Sequence, residues 1–284
     1  TINGQLYGIP FDPDCRILAF NTKILKEIGE EPPKTTDDVM NIARKAYAKG
    51  YYAMAGALNR ETFCVYDLGG FMLCWGIQVY EEKDGKYTSM LNTPEALDYM
   101  KWAQEMYRYM PKDANMDNTL ARSMFAQGKV AMMWWTPSQI KSVIPKFANR
   151  EDLDFHTMPI GPTGATGSGM GGYMWGMGAG AKNPDGAWAF ISYALQPEEQ
   201  GKIARGLPAD SRAFDYTPYN IPDYDVFRQQ LPKSEYPCPL TPVLPKVFET
   251  WNRTYSECLM GLITPEQACA KGHKEVQAVL DTIN

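Results

Sequence analysis

The residues able to do chemistry in this chain are few and scattered. It has two histidines, His156 and His273. They lie far apart and neither stands in an H-x-x-x-H pattern, the spacing that puts two imidazoles on one helix face for zinc. No G-x-S-x-G elbow and no phosphate-binding G-x-x-x-x-G-K-[ST] loop occurs. Gly167-Ser168-Gly169-Met170-Gly171-Gly172 satisfies G-x-G-x-x-G, but a dinucleotide fingerprint follows a strand and opens a helix. Here the next residues, Tyr173 to Ala179, read as a strand. Asp12 and Asp14 form an acid pair. Glycosidase chemistry sets its two carboxylates about 5–9.5 Å apart across a sugar ring. A D-P-D sequence does not fix such a distance, and its ordinary use is turn chemistry. We therefore expect no catalytic centre, no metal site and no cofactor.

What the sequence offers instead is aromatic rings beside hydrogen-bonding groups in loops. Trp134-Trp135-Thr136 ends an apolar run, Gly171-Gly172-Tyr173-Met174-Trp175 sets rings next to bare backbone, and Asp12-Pro13-Asp14-Cys15-Arg16 places charge at a turn. A sugar needs this mixture: its flat apolar face stacks on Trp or Tyr, and its hydroxyls pair with Asp and Arg. The candidate ligand-binding set is Asp12, Asp14, Arg16, Arg60, Tyr66, Trp135, Thr136, Gly171, Gly172, Tyr173, Trp175, Arg212 and Trp251. Trp134 and Trp188 read as core. Trp135 and Trp175 are open between core and ligand; their place beside loops leads us to expect them in a cleft.

The elements that must position these groups alternate between strand-like and helical patterns, which points to an α/β class. Short apolar runs cover 6–10 and 16–20, around the D-P-D turn, and a helix follows over 22–28. Thr35-Thr36-Asp37-Asp38 has the look of a capping box, with Val39, Met40, Ala43, Ala46 and Tyr47 at helical spacing behind it. A strand is expected over 51–57 and a buried helix over 63–76. Thr93-Pro94-Glu95 opens a long helix with Thr as cap and Pro at the first position. A further helix spans 119–127, then a doubly buried strand spans 130–135. Residues 215–245 are rich in Pro and Tyr without periodicity, and two helices, over 244–260 and 264–283, close the chain.

Composition narrows the class. A chain of 284 residues exceeds the size at which single cores stop growing, so two lobes are expected. Hydrophobic residues at 44% and charged residues at 21% are those of an ordinary globular protein. The net charge of -5, with no block of Lys and Arg, gives nucleic acid nothing to bind. Apolar stretches break before the length of a membrane span. Cysteines 15, 64, 74, 238, 258 and 269 form no C-x-x-C. We expect mostly free, buried thiols, with a disulfide open if the protein is exported.

A family resemblance emerges from five segments in order across nearly the whole chain. Asn3 to Asp14 followed by Arg16 to Asn21, Pro32 to Asp38, Phe125 to Met132, Gly171-Gly172 with Ala181 to Ile191, and the closing Thr264-Pro265-Glu266 helix resemble the family 1 solute-binding proteins of bacterial sugar importers. The resemblance implies a two-lobe, periplasmic-binding-protein-like (type II) fold with a ligand cleft closed by a hinge. It implies an extracytoplasmic protein, periplasmic or a cell-surface lipoprotein, that binds a mono- or oligosaccharide and docks on the permease of an ATP-driven importer. It places residues 15–157 and 209–284 in one lobe and residues 1–14 and 158–208 in the other, with Asp14 and Arg16 at the hinge side of the cleft. It departs from the family's pattern at Thr36, where a Trp is usual, and in the number of its cysteines. The family's motif starts here at Tyr7, so we expect one lobe to be incomplete. The helix bearing Trp188 should then expose an apolar patch and favour self-association. The alternatives are a binding protein for an anion, a polyamine or iron, and a carbohydrate-active enzyme.

Overall fold

A computed structural model describes residues 6–57, 63–113, 115–147, 149–203 and 205–284. In chain order the elements are β1 (Ile9–Asp14), β2 (Ile17–Asn21), α1 (Thr22–Ile28), α2 (Thr36–Ala48), β3 (Tyr80–Lys83), β4 (Lys86–Ser89), α3 (Pro94–Arg108), α4 (Asn118–Ala126), β5 (Met132–Trp135) and α5 (Ser138–Ser142). They continue with β6 (Leu153–His156), β7 (Ser168–Gly169), β8 (Gly171–Trp175), α6 (Pro184–Ala194), α7 (Pro197–Ile203), α8 (Pro222–Gln230), β9 (Ser234–Glu235), α9 (Leu244–Leu259) and α10 (Pro265–Leu280).

The helix starts follow their local chemistry. Thr35 and Asp38 close a capping box on α2, and Thr264 and Gln267 close another on α10. Thr93 caps α3 with Pro94 at the first turn. Residues 51–57 are not a strand; Tyr52 alone bridges to Val130. The buried segment 63–76 is a set of turns running into a 3-10 helix, Leu68–Trp75, because paired Gly69 and Gly70 weaken a regular α-helix. Inside the aperiodic 215–245 stretch lies α8, with Tyr224 and Phe227 buried one turn apart. A helix of nine residues carries too few apolar positions to show a period.

One antiparallel sheet organises the core, in the order β5-β2-β6. Every residue of β2 and β5 is buried. Successive side chains of a strand point to opposite faces, so the sheet feeds two hydrophobic clusters. Leu18, Phe20, Met132 and Trp134 join the cluster with α2, α3, α9 and α10. Ile17, Ala19, Met133 and Trp135 join the other, with Phe125, Leu153, Phe155 and the α8 aromatics. All six cysteines are buried.

Beside this body stands a two-stranded ribbon in which β1 pairs antiparallel with β8. The D-P-D sequence is part of β1 and not a turn: Asp12 pairs with Tyr173, Pro13 with Gly172 and Asp14 with Gly171. Proline is tolerated there because the ribbon has only two strands. Gly172 adopts φ +134°, and a Cβ on it would lie 2.4 Å from the Asp12 carbonyl oxygen, so only glycine lets the strands approach. The chain returns to the body at 205–207, where Leu207 donates to the Pro13 carbonyl. The helix α6 next to the ribbon buries only Ile191 and Ala194. Trp188, read as a core residue, is 54% exposed, and Met174, Phe190 and Tyr193 are exposed with it.

Candidate functional site

The passage from β1 to β2 builds the site. Cys15 is sealed in the core, so its neighbours Asp14 and Arg16 both project the other way. Their side chains border a cavity of about 170 Å³ with Asp67, Asn118, Arg122, Trp134, Thr136, Ser138 and Gln139. Four elements contribute: the β1–β2 passage, the turn before the 3-10 helix, α4, and the end of β5 running into α5.

Arg16 is the hub. Its Nη1 donates to Asp14 Oδ2 at 2.8 Å, and its Nη2 lies 4.0 Å from Asp67 Oδ1. The guanidinium sits 5.1 Å from the centre of the Tyr66 ring, and the backbone N–H donates to Ser168 Oγ at 2.6 Å. Tyr66 in turn meets the edge of Phe248 at 6.1 Å. Burial lifts the Asp14 carboxyl above the ordinary aspartate range. The charge and hydrogen bond of Arg16 pull it back, the nearby charge of Asp12 adds to the rise, and Arg122 opposes it. Burial pushes the Tyr66 phenol up to about 12, so it stays a neutral donor and acceptor. On the far wall Thr136 donates its N–H to Gln139 Oε1 at 2.6 Å, and the Thr136 and Ser138 hydroxyls lie 3.1 Å apart.

The other candidates fall elsewhere. Trp135 is 0% exposed and packs between Phe125 and Phe155, so it does not face a cleft. Its neighbour Trp134 is core as well, as expected, 3% exposed on the opposite face of the sheet against Gly56 and Phe63, and with Met133 it borders the cavity at the end of β5. Trp251 is also sealed in the core, with its indole against Gly272, where a Cβ would lie 2.5 Å from the ring. One helical turn earlier, Phe248 is the α9 ring that reaches Tyr66. Arg212 is 75% exposed and paired with Asp210, away from the cavity. Arg60 lies outside the described residues.

Asp12, 4% exposed, accepts the backbone N–H groups of Gly206 at 2.7 Å and Arg205 at 3.1 Å, clamping the returning chain onto β1. It also borders a second cavity of about 340 Å³, with Phe11, Tyr173, Trp175, Ile203 and Arg205. Trp175 lies on Phe11 at 4.6 Å and meets the edge of Phe190 at 5.3 Å. Tyr173, 65% exposed, stands beside the Gly171-Gly172 backbone as expected. A larger hollow, about 700 Å³, lies between the end of α3 and the α9–α10 turn; among the described residues its lining has no carboxylate and none of the candidate residues. Among the described residues no group of three or more His, Cys, Asp or Glu is placed to hold a metal ion. No helix among them is long and apolar enough to cross a membrane.

An α/β scaffold with a bordering ribbon, and a polar cavity of paired charges where the two meet, is the two-lobe, type II periplasmic-binding-protein architecture. The chain belongs to the bacterial extracellular solute-binding proteins, whose family profile matches residues 1–201. A binding protein of Brucella abortus (strain 2308) is 24% identical over 300 aligned positions, which cover 99% of this chain and 69% of the relative. The diacetylchitobiose binding protein DasA of Streptomyces coelicolor is 28% identical over 218 positions, 72% of this chain and 49% of the relative. Among solved structures, the GacH receptor of Streptomyces glaucescens superposes with a TM-score of 0.82 at 20% identity, covering 100% of this chain and 74% of that one. Family and fold are those of transport proteins that bind solutes without transforming them, so the chain is not an enzyme. The family is extracytoplasmic.

Proposed function

We propose that this chain binds a carbohydrate in the cleft between its lobes and delivers it to the permease of an ATP-driven importer. The observation that carries the reading is the polar cavity where Asp14, Arg16, Asp67 and Arg122 converge with Thr136, Ser138 and Gln139. Charged, hydroxyl and amide side chains fixed around one cavity can pair with the hydroxyls of a sugar. Two relatives support it: one is a diacetylchitobiose binding protein, and the GacH receptor was solved in complex with acarbose and an acarbose homolog. Residues 15–157 and 209–284 form one lobe, and residues 1–14 and 158–208 belong to the other. The core clusters favour this division for residues 171–203, since among the described residues of 158–208 they take in only Met158 and Leu207, whereas β7 pairs with β9 and Ile160 bridges to Thr35, so residues 160–170 lie against the first lobe. Asp14 and Arg16 then stand at the hinge side of the cleft.

The test is a thermal-unfolding screen against glucose, maltose, cellobiose, diacetylchitobiose, spermidine, phosphate and ferric citrate. A sugar at about 100 times its Kd stabilises the fold by about 2.7 kcal/mol. Stabilisation by spermidine, phosphate or iron with no response to any sugar would reject the carbohydrate reading.

A further inference from the structure

The charges around the Asp14 cavity cancel. Two carboxylates, Asp14 and Asp67, and two guanidinium groups, Arg16 and Arg122, border it; the rest of its lining among the described residues is uncharged. The four are engaged with one another. Arg16 Nη1 donates to Asp14 Oδ2 at 2.8 Å, and Nη2 lies 4.0 Å from Asp67 Oδ1. Arg122 acts on Asp14 through its charge. The network is also withdrawn from water: the Asp67 side chain is 5% exposed and that of Arg16 14%. Asp12, the next acid along β1, borders a different cavity, and its carboxylate is answered by the backbone N–H groups of Gly206 and Arg205. Beside the four charges stand the Thr136 and Ser138 hydroxyls, 3.1 Å apart, and the amides of Asn118 and Gln139.

We infer that this cavity is built for an uncharged sugar and discriminates against uronates and amino sugars alike. The inference rests on the carbohydrate reading above and takes the four charged side chains as one unit. A sugar hydroxyl both donates and accepts, so it answers a carboxylate and a guanidinium without adding charge. A ligand carboxylate only accepts. It would bring a third negative group beside Asp14 and Asp67 and compete with them for Arg16 and Arg122. A ligand ammonium only donates, and it meets the mirror problem beside the two arginines. Either way one charge is left uncompensated where little water reaches it, the costly case for buried ions. An acetamido group is a neutral donor and acceptor and escapes this penalty.

Calorimetric titration of the unmodified chain at pH 6, where a carboxylate and a sugar amine are both ionised, reads the discrimination. The probes are glucose, maltose, cellobiose and diacetylchitobiose, each beside two charged derivatives. One derivative has a ring CH2OH oxidised to a carboxylate. The other carries an amine in place of the hydroxyl or acetamido group at carbon 2. Whichever neutral sugar binds most tightly should bind about tenfold or more tighter than either of its derivatives. Two variants shift the charge of the cavity in opposite directions. Asp67→Asn leaves a positive excess, so the affinity of the uronate relative to its neutral parent should rise about threefold or more, and that of the amine should fall. Arg122→Gln leaves a negative excess and should move both ratios the other way.

A derivative that binds as tightly as its neutral parent, or more tightly, would overturn the inference and leave the carbohydrate reading standing. Ratios that stay still, or move the same way in both variants, would overturn it too. Should a variant fail to fold, the panel on the unmodified chain decides. Absence of binding by every sugar and every derivative would instead overturn the carbohydrate reading, and the inference with it.

Discussion

Replacing Asp12 by Ala is expected to destabilise the protein by about 3 kcal/mol, without any ligand present. The carboxylate is almost wholly buried and accepts two backbone N–H groups, from Gly206 at 2.7 Å and Arg205 at 3.1 Å. A hydrogen bond to a charged group is worth roughly 1.5–3 kcal/mol, and a buried donor left without a partner adds its own desolvation penalty. The two ends differ. Arg205 is exposed, so its N–H regains water and the loss there is small, whereas Gly206 is buried and its N–H is stranded. The sum is therefore nearer the value of one strong bond plus one small loss than of two. Asp12→Asn keeps one carbonyl acceptor and should lose about 1–2 kcal/mol. The assay is urea unfolding followed by tryptophan fluorescence, read as a lower midpoint at unchanged slope. Native-state amide exchange should show Gly206 opening faster, because the clamp holds the returning chain. A loss below about 0.5 kcal/mol for Asp12→Ala, the range of ordinary surface changes, would refute the clamp.

Three further outcomes follow from the same geometry. Asp14→Asn should leave stability at neutral pH unchanged or raised while weakening sugar binding. The folded-state pKa of Asp14 is raised by burial, so its contribution to stability is present below the ordinary aspartate value near 3.8 and is lost as pH rises through the folded value. A neutral isostere removes that loss, and urea midpoints at pH 4 and 7 check it. The thiols should be silent to Ellman's reagent in the native protein and react after denaturation without reductant, since every cysteine is buried, and burial pushes Cys15 and Cys74 up to about 12. Trp135→Phe should leave sugar affinity unchanged in a fluorescence titration, because Trp135 packs between Phe125 and Phe155, away from the cavity.

Where the sequence was legible, a local pattern had one physical solution. The Thr35 and Thr264 helix starts and the buried 130–135 strand are of this kind; of the proposed ligand residues Asp14, Arg16 and Thr136 border the cavity, and Tyr66 touches Arg16 beside it. Where it was not, two solutions differed by one step. Trp134 and Trp135 are equally apolar, and only the pairing of Trp134 with Leu18 and Trp135 with Ile17 decides which face each takes. Trp251 and Phe248 are one turn apart on α9, and the space left by Gly272 draws the larger ring into the core. Asp12 and Asp14 have the same type, spacing and strand. What separates them is the chain at 205–206, nearly two hundred residues away, which occupies one carboxylate and leaves part of the other for solvent or ligand. Asp67, Arg122 and Gln139 were missed because no local pattern brings these distant positions to one cavity. Phe248, on the helix singled out for Trp251, was within reach of a helical-spacing argument.

The most direct test of the account is a crystal structure of the chain with the tightest-binding sugar of the panel. The account predicts a sugar in the cavity bordered by Asp14, Arg16, Arg122 and Thr136, with hydroxyls hydrogen-bonded to those side chains. A sugar seated in the hollow between α3 and the α9–α10 turn, with the Asp14 cavity empty, would contradict it.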